Sequence, residues 1–167
     1  MKTLAAFVVM CAAAVIIGTA AYAGSDDTAA IKAVEQNFVA GVQAKNADRI
    51  MSNYQKSPDL IVFDLIPPRQ YTGWDAYRTD WQGVLAGCKD APAMEMNDLI
   101  VEGDKRYAYG HNIQHLTCTT TGGQKLDVTF RVTDAYKKIA GKWLIVHEHV
   151  SVPVDLETGK PDMNSKP

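Results

Sequence analysis

The pattern of apolar and polar positions changes near the middle of the chain, from the period of helices to the alternation of strands. A first helix is predicted to begin between Ser25 and Asp27, where polar side chains can cap it. Apolar residues then recur at the spacing that places them on one helical face: Ile31, Val34, Phe38 and Val42. This periodicity predicts an amphipathic helix packed against the rest of the domain.

Two more helices are predicted before the pattern changes. Asn46 can cap a short second helix that runs to about Tyr54, and the apolar run over residues 60–63 is typical of a strand. Thr72 and Asp75 are spaced as a capping box for a third helix, which runs to about residue 88. The apolar stripe of this third helix is rich in aromatic side chains: Trp74, Tyr77, Trp81, Val84 and Cys88.

Four longer segments in the second half alternate between apolar and polar residues, as strands with one buried face do. They cover residues 93–101, 106–118, 126–136 and 143–152. Turn residues separate them: Glu102-Gly103-Asp104, Gly122-Gly123 and Ala140-Gly141. Consecutive hairpins predict an antiparallel sheet, and the element order predicts an α+β fold with the helices packed on one face of a curved, cone-shaped sheet.

Both ends of the chain are predicted to lie outside this domain. Residues 1–23 have the pattern of a secretory signal peptide, with Lys2, an apolar run and small residues at Ala21 and Ala23 before the expected cleavage site. A membrane anchor is the alternative, although the apolar run is shorter than the roughly 20 residues of a spanning helix. We therefore expect a periplasmic or secreted protein with one domain over residues 24–154 and a flexible tail over residues 155–167.

Charge and cysteine content restrict the partners. The formal net charge is −2, and the chain has no long basic run, so nucleic acid and anionic membrane surfaces are not expected partners. Cys88 and Cys118 remain after removal of the signal, and an exported domain can join them in a disulfide bond. Two buried free thiols are the alternative. No CxxC motif occurs, and no cofactor is expected.

All four histidines lie on predicted strands: His111, His115, His147 and His149. Strict alternation places the last two on the same strand face as Trp143 and Ile145. A zinc site needs three or four converging ligands, and this pattern gives only two pairs, so no metal site is predicted. The histidines are interpreted either as hydrogen-bonding groups beside a pocket or as members of a solvated outer face.

Two charged residues are candidates for chemistry. Asp64 directly follows the apolar run over residues 60–63, where burial would raise its pKa and suit it to proton transfer. An ordinary turn aspartate before Pro67 is the alternative. Arg131 lies between apolar neighbours in the middle of a strand, so it needs either solvent or an anionic partner.

Five segments resemble the SnoaL-like branch of the nuclear-transport-factor-2-like superfamily, which also contains ketosteroid isomerases and polyketide cyclases. They cover residues 44–48 (AKNAD), 60–64 (LIVFD), 71–74 (YTGW), 131–133 (RVT) and 141–151 (GKWLIVHEHVS), within a resemblance from about Thr28 to Pro153. The resemblance implies a cone-shaped fold with a ligand cavity. It also implies that Asp64 takes the place of the aspartate with which ketosteroid isomerases move a proton beside a carbonyl.

The resemblance also implies a departure from those isomerases. Phe38 stands where they have the oxyanion-binding tyrosine, and Thr133 stands about where they have a second, protonated acid. A phenyl ring cannot donate a hydrogen bond, and donors to a developing oxyanion are usually worth several kcal/mol. A faithful ketosteroid isomerase is therefore not expected.

Two functional hypotheses follow. The first is a domain that binds a small, partly apolar molecule in its cone, with or without isomerase-, cyclase- or hydratase-like chemistry by Asp64, His115 and His149. The expected ligand contacts are Tyr54, Trp74, Trp81, Tyr109, Arg131, Thr133 and His147. The second is a non-catalytic assembly module that oligomerises through its sheet. A homodimer is the expected oligomer.

Overall fold

The computed structural model describes residues 24–165, so the predicted signal peptide lies outside the described residues. The helices are α1 (Ser25–Gln43), α2 (Ala47–Met51) and α3 (Trp74–Gly87). The strands are β1 (Ile61–Phe63), β2 (Tyr71–Thr72), β3 (Ala93–Gly103), β4 (Tyr107–Thr119), β5 (Lys125–Ile139) and β6 (Lys142–Ser151). The helices pack on one face of a curved, unclosed sheet, which confirms the predicted α+β class.

The helices follow the sequence pattern except at the end of α2, which is Met51 rather than about Tyr54, and at the start of α3. Ile31, Phe38 and Val42 of α1 are buried in the core, and the Asn46 side chain caps α2 by accepting a hydrogen bond from an amide at 2.9 Å. The predicted capping box is wrong, because Thr72 belongs to β2 and α3 has no side-chain cap. The residue before α3 is Gly73, whose φ of 91° lies in the left-handed region that favours glycine.

The sheet has the order β2-β1-β6-β5-β4-β3. The ladders between β3, β4, β5 and β6 are antiparallel, as the hairpin turns predict. β1, however, pairs in parallel with β6 and antiparallel with β2, so the sheet is mixed rather than purely antiparallel. No helix among residues 24–165 combines the length and apolar content needed to cross a membrane.

The ladder between β5 and β6 contains one irregularity. Ala135 pairs with His147 but Tyr136 pairs with Ile145, which leaves Val146 as an extra residue on β6. Alternation therefore changes phase at Val146. Trp143 and Ile145 are buried before this bulge, and Glu148 and Val150 are buried after it. The prediction that His147 and His149 share the face of Trp143 and Ile145 is wrong for this reason.

The C-terminal tail folds back onto the sheet. β6 stops pairing with β5 at Ser151, and further along β5 the Thr129 amide donates to the Met163 carbonyl at 2.8 Å. The Asp162 amide donates to the Pro153 carbonyl at 2.8 Å, and Met163 packs against the core. The tail thus uses hydrogen-bonding groups that β6 leaves free.

The end of α3 is covalently attached to the sheet. Cys88 directly follows α3 and Cys118 lies on β4, and the structure joins them in a disulfide bond. Both sulfur-bearing residues are buried, with 3% and 9% of their surface exposed. The sequence left open a disulfide bond or two free thiols, and the structure contains the disulfide bond.

Candidate functional site

A cavity of about 280 Å³ lies between the helices and the inner face of the sheet. Its volume is near the lower end of the roughly 300–1,000 Å³ typical of small-molecule sites. α1 and α3 form one wall, β4 to β6 form the other, and the tail residues Pro161 and Met163 complete it. Most of the lining is apolar: Phe38, Leu65, Ile66, Val84, Leu116, Leu126, Val128, Phe130, Val132, Val150 and Val152.

The polar lining consists of acids and uncharged groups: Asp64, Tyr77, Asp80, Trp81, Gln114 and Glu148. Within the described part of the chain, no lysine, arginine or histidine lines the cavity. An anionic ligand would therefore meet three carboxyl groups and no cation. The composition of the wall favours a neutral molecule with a large apolar part.

Glu148 reaches the cavity because the bulge at Val146 turns it inward. It is 3% exposed, and each carboxyl oxygen accepts one phenol hydrogen. The Tyr54 hydroxyl donates to Oε2 at 2.6 Å, and the Tyr77 hydroxyl donates to Oε1 at 2.5 Å. Burial raises the pKa of Glu148, and the two hydroxyl groups oppose this rise because they stabilise the charged form.

Asp64 lies at the end of β1, in the loop that closes one side of the cavity. Its Oδ1 accepts a hydrogen bond from the Leu65 amide at 2.6 Å. Burial, and next the charge of Glu148, raise the pKa of Asp64 to about 7, while the hydrogen bond from the Leu65 amide opposes the rise. A carboxyl group with this pKa is present in both its acidic and its basic form near neutral pH, which suits proton transfer.

Two further acids are buried behind the cavity. The Tyr136 hydroxyl donates to Glu35 of α1, and burial followed by the charge of Glu148 raises the pKa of Glu35 to about 7. Asp134 of β5 is 1% exposed, and among residues 24–165 neither of its oxygens has a hydrogen-bond partner. Burial, and next the charge of Glu35, hold the pKa of Asp134 well above its usual range.

Three polar groups of the cavity wall have unused hydrogen-bonding capacity. The Gln114 side chain is 2% exposed and has no hydrogen bond to another described residue. Trp81 Nε1 and Asp80 Oδ2 are buried and likewise have no partner among the described residues. The other oxygen of Asp80 accepts from the Tyr71 hydroxyl at 2.6 Å. A bound molecule can therefore meet unused donors on Gln114 and Trp81 and an unused acceptor on Asp80.

The structure brings only some of the sequence-predicted site residues to the cavity. Asp64 and Trp81 line it. Tyr54 lies directly behind it, where its hydroxyl holds Glu148. Trp74 points elsewhere, because its indole nitrogen donates to the Met51 carbonyl at 2.9 Å.

The remaining predicted residues lie on the outer face of the sheet. Tyr109, Arg131, Thr133 and His149 are exposed there. His147 Nδ1 lies 2.8 Å from the Ile61 carbonyl oxygen. The ligand-binding and acid–base roles predicted for these residues in the cone are therefore corrected. For β4 and β5 the predicted alternation is right, but the face that carries these residues is the solvent face.

His115, the third predicted acid–base group, also lies on the outer face. It is half-buried, and its Nε2 lies 2.8 Å from Asp127 Oδ1. The carboxylate of Asp127 is held with its pKa below the usual range by hydrogen bonds from Lys125 and His115. No group of three or more potential ligands among the described residues is arranged to hold a metal ion.

Four polar residues that line the cavity were not predicted from the sequence as polar groups of a site: Tyr77, Asp80, Gln114 and Glu148. Gln114 and Asp134 lie on the same strand faces as the buried apolar residues of β4 and β5, so their inward orientation could have been inferred. Glu148 could not be found in this way, because the bulge before it changes the phase of alternation.

Comparison with known proteins agrees with this architecture. A sequence model of the SnoaL-like domain matches residues 31–155 of the chain. No curated protein matches it. A solved NTF2-like protein of unknown function from Pseudomonas putida KT2440 is 25% identical, with a TM-score of 0.76 over 86% of this chain and 99% of that chain.

Two other solved structures share the fold alone, because their sequence identity is low. A proposed scytalone dehydratase from Novosphingobium aromaticivorans is 13% identical, with a TM-score of 0.69 over 77% of this chain and 85% of that chain. A proposed calcium/calmodulin-dependent protein kinase II association domain from Xanthomonas campestris is 23% identical, with a TM-score of 0.64 over 77% and 88% of the two chains.

Proposed function

For this chain, which belongs to the SnoaL-like domain family, we propose that the cavity binds a small, neutral, largely apolar molecule and that Asp64 moves a proton on it. The observation that carries the proposal is the raised pKa of Asp64, about 7, at the edge of a mostly apolar cavity. One solved structure with this fold is named as a proposed scytalone dehydratase, and that name is in keeping with a proton-transfer reaction in such a cavity.

The chemistry that suits this site is proton abstraction beside a carbonyl group. The Asp64 carboxylate takes a proton from the carbon, the electron pair of the C–H bond forms an enolate, and the carbonyl oxygen gains the negative charge. Protonated Asp64 then returns the proton to the same or another carbon. The Trp81 indole N–H, which has no partner among the described residues, and the Gln114 amide of the cavity wall are available to the ligand oxygen.

Steroid isomerisation is not the proposed reaction. Phe38 lines the cavity, and its ring cannot donate a hydrogen bond to an oxyanion. Thr133 lies on the outer face, while the neighbouring Asp134 faces inward. The proposal therefore names a neutral carbonyl compound of modest size, and not a particular substrate.

The test uses β-tetralone, a neutral bicyclic ketone, as the probe. In heavy water near neutral pH, proton NMR should show that the protein accelerates exchange of the protons beside its carbonyl. Asp64→Asn should lower the exchange rate by about a hundredfold or more, since a positioned general base contributes typically 10²–10⁴-fold. The controls are His115→Gln and His149→Gln, which should exchange at the wild-type rate. Wild-type exchange by Asp64→Asn would contradict the role of Asp64.

An assembly module is the second candidate function, and the outer face of the sheet favours it. Ile100, Tyr107 and Tyr109 are between 46% and 49% exposed there. We expect a homodimer that covers this face, so Tyr109→Glu should produce monomers in light scattering. Ala86→Glu adds the same charge on exposed α3 and is the control. A wild-type protein that is monomeric at high concentration would rule this candidate out.

Export is part of the proposal as well. The residues before Gly24 predict cleavage, and the disulfide between Cys88 and Cys118 supports an oxidising compartment. Mass spectrometry of the protein recovered outside the cytoplasm should give a chain that begins at Gly24. Recovery of the uncleaved chain in the cytoplasm would contradict this part of the proposal.

A further inference from the structure

Glu148 and Asp64 belong to different elements but line the same cavity. Glu148 is on β6 and Asp64 follows β1, which pairs with β6 so that Phe63 lies opposite His149. The Tyr77 hydroxyl is near both acids and donates to Glu148 at 2.5 Å. A phenol has one hydroxyl hydrogen, so Tyr77 cannot donate to both carboxyl groups at once.

The surroundings of Glu148 stabilise its ionised form more than the surroundings of the neighbouring acids stabilise theirs. Tyr54 and Tyr77 each donate to one of its oxygens, and both hydrogen bonds stabilise the charged form. Asp134, which faces it from β5, has no hydrogen-bond partner among the described residues. Among residues 24–165, Glu35 of α1 accepts a hydrogen bond from Tyr136 alone. A single negative charge in this core is therefore best placed on Glu148.

We propose that Glu148 is a positioning residue that keeps a proton on Asp64. The negative charge of Glu148 opposes a second negative charge on Asp64. Glu148 also accepts the hydroxyl hydrogen of Tyr77, so this hydrogen is not available to stabilise an ionised Asp64. The inference rests on the proposed function in one respect, namely that Asp64 is the group that transfers the proton. The other ionisable groups that face Asp64 are Asp80 of α3 and Tyr71 of β2.

Glu148→Gln removes the charge while keeping the size of the side chain. The neutral amide cannot accept two phenol hydrogens as strongly as a carboxylate, so the Tyr77 hydroxyl becomes free to donate to Asp64. Both changes stabilise the ionised form of Asp64, so both lower its pKa. In the exchange reaction, the pH of half-maximal rate should decrease in this variant.

The direct test is a pH titration by carbon NMR of protein with labelled aspartate carboxyl groups, with no ligand present. The Asp64 signal is assigned by its loss in Asp64→Asn, and its midpoint in the wild type should be about 7. In Glu148→Gln the midpoint should fall by about one unit or more. Asp134→Asn is the matched control: it replaces a buried acid on the neighbouring strand that is not among the groups shifting the pKa of Asp64, so it should leave the Asp64 midpoint unchanged.

An unchanged midpoint in Glu148→Gln, or an equal decrease in Asp134→Asn, would overturn the inference. If Glu148→Gln does not fold, labelled glutamate in the wild type decides instead, because Glu148 must ionise at a lower pH than Asp64. The reverse order would also overturn it. Failure of β-tetralone exchange with a normal decrease of the midpoint would reject the proposed function and leave this inference standing.

Discussion

Replacing Glu35 by glutamine should stabilise the domain at neutral and higher pH but not in acid. Glu35 lies on α1, is 2% exposed and accepts the hydroxyl hydrogen of Tyr136. Burial, and then the charge of Glu148, raise its pKa from 4.5 to about 7. Glutamine has nearly the same volume and keeps an acceptor oxygen for Tyr136, but it has no charge to desolvate.

The expected size of the effect follows from the shift of this pKa. The folded state holds the proton of Glu35 up to a pH of about 7, whereas the unfolded state releases it near 4.5. The stability due to this protonated acid is therefore complete below the unfolded value and is lost as the pH rises through the folded value. One pKa unit corresponds to about 1.4 kcal/mol, so ionisation lowers the free energy of unfolding by about 3 kcal/mol.

The assay is equilibrium urea unfolding of the disulfide-bonded protein from about pH 4 to about pH 8. The difference in free energy of unfolding between Glu35→Gln and wild type should therefore grow by about 3 kcal/mol from the acidic to the alkaline end of this range. The same substitution at Glu95, which is exposed on β3, is the control. Parallel stability curves for wild type and Glu35→Gln would refute the reasoning, because Glu35 would then ionise alike in both states.

Three further predictions concern the disulfide, the tail and a turn. Cys88→Ser with Cys118→Ser opens a loop with a sequence separation of 30, and urea unfolding should show a loss of about 3–4 kcal/mol. A chain that ends at Val154 lacks two residues of the cavity wall, so it should bind more of a hydrophobic fluorescent dye than the full chain. In Gly103→Ala the Cβ would lie 2.4 Å from Ala108 Cα, which should cost about 1–3 kcal/mol in thermal unfolding, whereas Gly83→Ala has open space and should not destabilise. Wild-type behaviour of any of these variants would contradict the contact named for it.

The fold was largely predictable because it depends on periodicity, which a sequence shows directly. The recurrence of Ile31, Phe38 and Val42 predicted the buried stripe of α1, and the alternating segments predicted β3 to β6. The parallel pairing of β1 with β6 depends on contacts between distant segments, which no local pattern records. The tail was interpreted as flexible from its composition alone, although Met163 reaches the core.

The candidate site was less predictable, because each of its residues depends on which face of a strand is buried. For β4, the sequence showed that Tyr109, His111 and His115 share a face, but not that this face is the outer one. The neighbouring Gln114 was missed as a result. For β6, the extra residue Val146 exchanges the inner and outer faces of the residues that follow it. Strict alternation therefore predicted His149 as the group in the cavity, whereas Glu148 is the one that reaches it.

The cost of the buried acids is an argument that they serve a site and not only the core. Glu35, Asp64 and Asp134 all have raised pKa values because burial disfavours their charged forms, so each lowers the stability of the fold at neutral pH. Well-packed apolar residues of similar volume would stabilise the core more. Tyrosine hydroxyls donate to Glu148 and Glu35, whereas Asp134 is left without a hydrogen-bond partner among the described residues. An arrangement that stabilises one charge and raises the pKa of the neighbouring acids is expected where a proton has to be held beside a bound molecule.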